Sequence, residues 1–215
     1  NRIYEELSKL SLCIYTPSNY IFPSKIQKYI DLTHNKGNEL TQTGREQGIR
    51  KLMSVNLLKR LESSINSFHL TLQRIYSLIN DTIDKINRFE QYGASSIDMY
   101  ESSDTEWDID DSNTEYFTVG NKVQIDLADM DYKSWRSELT SDIEVLNGLM
   151  SMLNVITPKY DGKLQSLLKV ISEKIENPIN INNKKVLIFS AFSDTAEYLY
   201  EHVSVYIKEK YGLNT

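Results

Sequence analysis

"REQGIRKLMSVNLLKRLESSINSFHLTLQRIYSLINDTIDKINRFEQY" (residues 45–92) decides how the chain is read. Its apolar residues Ile49, Met53, Leu57, Leu61, Ile65, Phe68, Leu72, Ile75, Ile79, Ile83 and Ile86 follow one another at steps of three or four. Such steps keep one face of an α-helix apolar, and no proline interrupts them. The spacing predicts one unbroken helix of about 45 residues, roughly 68 Å long at about 1.5 Å per residue. A helix of that length either projects or lies against an antiparallel partner. Residues 132–156 supply the partner, with a stripe of Trp135, Leu139, Ile143, Leu146, Leu149/Met150, Leu153 and Ile156. Together they predict a mainly α fold built on a long antiparallel, coiled-coil-like helical hairpin.

The remaining segments arrange themselves around this hairpin. Residues 1–44 read as a helical entry segment and linker, with a helix over 2–14, a break at "TPSNYIFP" (16–23), a short helix over 24–35 and a polar link to 44. Residues 45–157 form the hairpin, whose tip loop spans 93–130 and starts at Gly93. Within the tip, "YFTVGNKVQIDL" (116–127) predicts a small β-hairpin around Gly120 and Asn121. Residues 158–215 hold additional packing elements. Pro158 stops the second long helix, and Asp161 caps a helix over 162–177. "VLIFS" (186–190) follows as a strand apolar on both faces, then a helix over 194–210 opened by Asp194 and Glu197. This strand has no full set of neighbours in the chain. It must cover its faces with local helices, pair with another molecule, or depart from a strand.

Charge is unevenly placed. The net charge is −6, but residues 98–115 carry eight acids and no Lys or Arg, so removing that −8 leaves the rest at +2. No overall basic excess announces nucleic-acid binding. Cys13 is the only cysteine, which rules out an intrachain disulfide and fits a reducing, cytoplasmic setting. No apolar run approaches the ~20 residues of a membrane span, and no secretory leader is visible. The chain opens at Asn1 rather than Met, as a processed or excised chain would.

Several chemistries lack their residues. A phosphate-cradling P-loop needs Gly-Lys followed by Ser or Thr, and Gly162-Lys163 continues as Leu164. No Asp-Glu pair exists to hold Mg²⁺. "QTGREQGIR" (42–50) has the wrong spacing for an arginine finger and reads as a loop entering a helix. His34, His69 and His202 are scattered and give no zinc signature. "DTEWDIDDSNTE" (104–115) sets acids at EF-hand positions, but Ile109 stands where the turn needs Gly, so it reads as a solvated acidic loop. No catalytic or metal-ligating residue is assigned. One basic group stands out: Arg45, Arg50, Lys51, Lys59 and Arg60. Five cations in one stretch of helix can meet a phosphate backbone, or form a solvated face paired with Glu46 and Glu62.

Three stretches, taken together, carry a resemblance: "REQGIRKLMSVNLLKRLESSINSFHLTLQRI" (45–75), "PKYDGKLQSLLKVI" (158–171) and "NKKVLIFSAFSDTAEYLYEHV" (183–203). In this order they resemble bacterial superfamily II helicases of the Swi/Snf-type translocase branch. The resemblance implies ATP-driven translocation on DNA. It implies that this stretch is the helical region between two RecA-like lobes, ending just inside the second. ATP and Mg²⁺ would then belong to lobe motifs outside this chain, leaving it inactive as an ATPase by itself. Only the segment called motif IV transfers, onto Ser190, Ala191 and Phe192. The implied nucleic-acid-facing set is Arg45, Arg50, Lys51, Lys59, Arg60, Ser190 and Phe192. The implied partners are DNA and the two lobes, with self-association through strand 186–190 as a further possibility. A different class of reading is a free-standing helical adaptor that docks a protein partner through its acidic tip.

Overall fold

A computed structural model of the chain describes residues 2–33, 42–93, 96–98, 124–181 and 183–214. It is mainly helical, as the periodicity predicts, but the 45–92 stretch is two helices rather than one. Helix α3 runs Gln42–Ser63 and α4 runs Ile65–Tyr92. Between them Ser64 is extended (φ −152, ψ 150), and its Oγ accepts from the Ser67 N–H, capping α4. The chain folds back at this corner. Near the start of α3, Glu46 accepts from both the N–H and the hydroxyl of Ser18. Tyr20 packs its ring 5.9 Å from that of Trp135. The next residue, Arg136, donates to Asn87 and Glu90 near the end of α4. In a straight helix, residues 46 and 90 would stand about 66 Å apart, far beyond the reach of these few contacts.

The third core helix, α5, is Tyr132–Leu153. It runs antiparallel to α4, with Tyr132 edge-on to Phe89 at one end and Leu153 beside Ile65 at the other. One continuous core joins all three helices. Met53 and Leu57 come from α3, Phe68, Leu72, Ile75 and Ile79 from α4, and Trp135 and Leu146 from α5. Each buried side chain of this size contributes about 1.5–3 kcal/mol.

The N-terminal helix α1 covers only Arg2–Leu7, short of the expected 2–14. Leu12 sits at φ 54, in the left-handed region. What breaks the helix is distant in sequence: Asp142 of α5 accepts from the backbone N–H groups of Ser11 and Cys13. Those amides are turned outward to the carboxylate and are lost to a helix ladder.

Helix α2 is Ile26–Thr33. Strand β1 (Ser96–Asp98) pairs antiparallel with β2 (Gln124–Asp126), Ile97 opposite Ile125. The expected hairpin around Gly120 and Asn121, and the acidic stretch beyond Asp98, lie outside the described residues. Just after β2, the buried Asp129 accepts from the Tyr29 hydroxyl and pairs with Lys25 and Lys28, fixing α2 to the body. The Lys28 bond, then the Tyr29 and Lys25 bonds, hold its carboxyl at about 2. A depressed carboxylate stabilises the fold fully above its unfolded value, about pH 4, and loses that contribution as pH falls through 2. We expect Asp129→Asn to flatten this acid limb in urea unfolding followed from pH 7 to 2. An unchanged limb would assign acid sensitivity to other groups.

After α5, Asp161 caps α6 (Gly162–Glu176), accepting from the Lys163 and Leu164 N–H groups as expected. Helix α7 is Ser193–Tyr211. Together α6 and α7 bury a second, smaller cluster, including Leu164, Ile171, Ile175, Val203 and Ile207. Two expectations fail here. Residues 186–190 form no strand, because no backbone among the described residues offers them a ladder. Nor does Asp194 cap α7: the N-cap is Phe192, without a side-chain bond, and Asp194 turns inward instead.

Candidate functional site at the α3–α4 corner

The start of α7 plugs the corner. Arg60, in the last turn of α3, is 1% exposed. Its Nη1 donates to Asp194 Oδ2 at 2.9 Å and to Ser67 Oγ at 3.2 Å. Arg74 of α4 grips the same carboxylate with two bonds, of 2.7 and 2.9 Å. Asp194 therefore ties α3 to α4 across the break. Burial alone would raise its pKa, but Arg74 and Arg60 outweigh that and hold it below the ordinary carboxylate value. Beside it, Thr195 Oγ1 hydrogen bonds with Ser63 Oγ (2.9 Å) and Ser64 Oγ (3.0 Å). Phe192 lays its ring 4.6 Å from the Arg60 guanidinium, a cation–π contact. Lys163 of α6 donates to the backbone carbonyl of Glu62, at the open C-terminal end of α3.

The basic group from the sequence is therefore split. Arg60 belongs to the interior. Arg50, Lys51 and Lys59 are exposed and Arg45 is half-buried. Arg50 and Lys59, nine residues apart, point to opposite sides of the helix, about 180° apart. Lys51 and Lys59 share the outer face with the exposed Val55 and Leu58. Glu46, one candidate partner for these cations, is buried against Ser18. Of the motif IV residues, Phe192 is buried at the corner, while exposed Ser190 folds its hydroxyl onto the Phe192 backbone.

The fold also gathers residues that the sequence left scattered. His69 of α4 and His202 of α7 line one cleft of about 390 Å³ with Asp161, Tyr198, Glu197 and Glu201. The Tyr198 hydroxyl donates to Asp161 at 3.0 Å, and its ring meets His202 edge-on. Among the described residues no group of three or more His, Cys, Asp or Glu side chains is placed to hold a metal ion. None of their helices is long and apolar enough to cross a membrane. Neither Arg74 nor this cleft carries a local sequence signal. Comparison with protein families, curated proteins and solved structures finds no match to this chain.

Proposed function

We propose that this chain is the helical region between the RecA-like lobes of an ATP-dependent superfamily II DNA helicase or translocase. It would run into the first strand–helix step of the second lobe. One observation supports the reading above others. The apolar segment 186–190 has the exposure of a strand without a sheet, and the helix after it is bolted to the helical body through Asp194. A strand–helix step fixed to a helical body fits a lobe whose other strands lie outside these residues. In this reading ATP and Mg²⁺ act in the lobes, and this chain hydrolyses nothing alone. Asp194 passes lobe movement into the corner. The protein works in the cytoplasm.

DNA contact falls to the exposed Lys51 and Lys59 of the outer face, with Arg45 on the same side, while Arg50 points to the opposite side of the helix and Arg60 and Phe192 act from within. The test is fluorescence anisotropy with short duplex and single-stranded DNA at about 50 and 200 mM salt. Each phosphate contact on a duplex adds about 0.9 to the slope of log affinity against log salt. We expect Lys51→Ala with Lys59→Ala to weaken binding several-fold and reduce that slope by about 2. Equal affinity and slope after Arg45, Lys51 and Lys59 are all replaced by Ala would sink the DNA-facing role. ATP turnover by this chain, lost on a point mutation within it, would sink the inter-lobe reading.

A further inference from the structure

The break between α3 and α4 is one residue wide. The Ser64 N–H donates to the Arg60 carbonyl, and the Ser64 carbonyl accepts from the Phe68 N–H, as both would in an unbroken helix. Between these bonds, the carbonyls of Leu61, Glu62 and Ser63 and the amides of Ile65, Asn66 and Ser67 stand outside the backbone ladder. Turning Ser64 alone from its extended dihedrals (φ −152, ψ 150) to helical ones would bring them back into it. The apolar stripe suits the straight form equally well, since Leu61, Ile65 and Phe68 keep one phase across the break. Within a single copy, straightening would swing α3 off α4 and strip Ile49, Met53 and Leu57 of their cover, all three buried in the common core. The groove on α4 and α5 that covers them is matched to this α3, side chain by side chain, and a second copy carries the identical groove.

We propose that two copies of this chain exchange α1, α2 and α3. Each copy straightens at Ser64 into one helix over 42–92 and lays its exchanged helices on the other's α4 and α5. Bonds inside the exchanged part, such as Glu46 to Ser18, travel with it. Bonds it makes to the rest, from Ser11 and Cys13 to Asp142 and from Tyr29 to Asp129, re-form between copies. Because α3 folds back along α4, the two straight helices run antiparallel and pass each other at Ser64, so the exchange is two-fold and closed. A short hinge is where such exchange starts. The start of α7 opposes it: Thr195 holds Ser63 and Ser64 in the corner, and Ser64 caps α4 only in the bent form. The exchange is independent of any contact with DNA.

The protein is refolded from urea at about 1 and about 200 µM and sized by light scattering. The concentrated sample should hold a species of twice 24.9 kDa that persists after dilution, because parting the copies means opening the core. Ser63→Ala with Ser64→Ala removes the cap and the contacts with Thr195, and should raise the dimer share several-fold. Ile65→Pro suits the bent form, since Ser64 before it is already extended and Ile65 is the first residue of α4, but it forbids the straight one. It should leave the protein monomeric, while Ile65→Ala still dimerises. Spin labels on Arg50→Cys and Arg88→Cys, in a Cys13→Ala chain refolded with excess unlabelled protein, read the hinge directly. Their distance within one chain should be short in the monomer and about 57 Å in the dimer. Monomer alone after every refolding, growth past the dimer, a dimer share unmoved by Ile65→Pro, or a dimer that keeps the short distance overturns the proposal.

Discussion

Replacing Asp194 by Ala is expected to lower the unfolding free energy by about 3–5 kcal/mol, the usual penalty for breaking a buried ion pair from one side. Two guanidiniums converge on this carboxylate, one of them from a side chain almost without solvent contact. In the variant Arg60 loses its bond to this carboxylate, and water reaches the site only if α7 moves. Asp194→Asn should lose nearly as much, since an amide cannot balance the charge and turns donors toward donors. Thr195→Val removes only neutral hydroxyl contacts with Ser63 and Ser64 and should cost about 1 kcal/mol. The loss has a place: hydrogen exchange should speed first in the opening turns of α7 and around Ser64, ahead of the middle of α4. It also has a pH signature. A carboxylate held below its ordinary value contributes fully above that value and progressively less as the pH falls past it. The wild type should therefore lose part of its advantage over Asp194→Asn in acid. A urea midpoint shift worth under about 1 kcal/mol at neutral pH would show that the corner does not depend on this pair.

The corner also marks how far the sequence can be read. Apolar spacing reports which face of a helix is buried, and there it succeeded. Ile49, Met53, Leu57, Phe68, Leu72, Ile75, Ile79 and Ile86 are all buried. So are Trp135, Leu139, Leu146, Leu149 and Leu153. Spacing does not report whether a helix is continuous. The step of four from Leu61 to Ile65, and of three to Phe68, runs through the break without a change of phase. The local hint was the Ser63–Ser64 pair, since serine is a moderate helix former and a good N-cap. What holds the break open is more than 120 residues away, in Asp194 and Thr195. The end of α1 fails for the same reason, because Asp142 takes its amides from α5. The basic group mixes two environments because neighbours on a helix point about 100° apart: Lys59 faces water while Arg60 faces the core. The apolar run at 186–190 was legible as two-faced, but a strand needs a neighbour, and a neighbour is not encoded in its own residues.

Asp142 should be the second great sensitivity of the fold, visible in the chemistry of a residue it touches. Its buried carboxylate accepts from the Ser11 N–H at 2.7 Å, the Ser11 hydroxyl at 3.0 Å and the Cys13 N–H at 3.2 Å. The Cys13 thiol lies 3.6 Å away. Burial first, and the Asp142 charge second, push that thiol up to about 12. At pH 8 roughly one thiol in ten thousand is then ionised, and only the thiolate attacks. Wild-type Cys13 should therefore resist a disulfide reagent until the protein unfolds. Asp142→Ala leaves the Ser11 N–H without an acceptor, worth about 1–3 kcal/mol when buried, leaves the Cys13 N–H only the Ser11 hydroxyl as acceptor, and removes the charge that disfavours the thiolate. We expect a loss of about 2–4 kcal/mol and labelling of Cys13 faster by at least about 100-fold at pH 8. Trp135 reports the same event, because its indole N–H donates to the Cys13 carbonyl at 3.1 Å. In a Trp107→Phe background its emission should shift to the red as the N-terminal segment lifts. The alkaline limb has a fixed sign. A thiol raised in the fold stabilises it fully below the unfolded value of 9.0 and loses that contribution as pH climbs through about 12, so Cys13→Ala should remove that part of the limb. Asp142→Asn separates geometry from charge: it keeps an acceptor for Ser11 and drops the negative field, so labelling should rise more than stability falls. Rapid labelling of wild-type Cys13 would sink this account, and so would an Asp142→Ala protein that melts and labels like the parent.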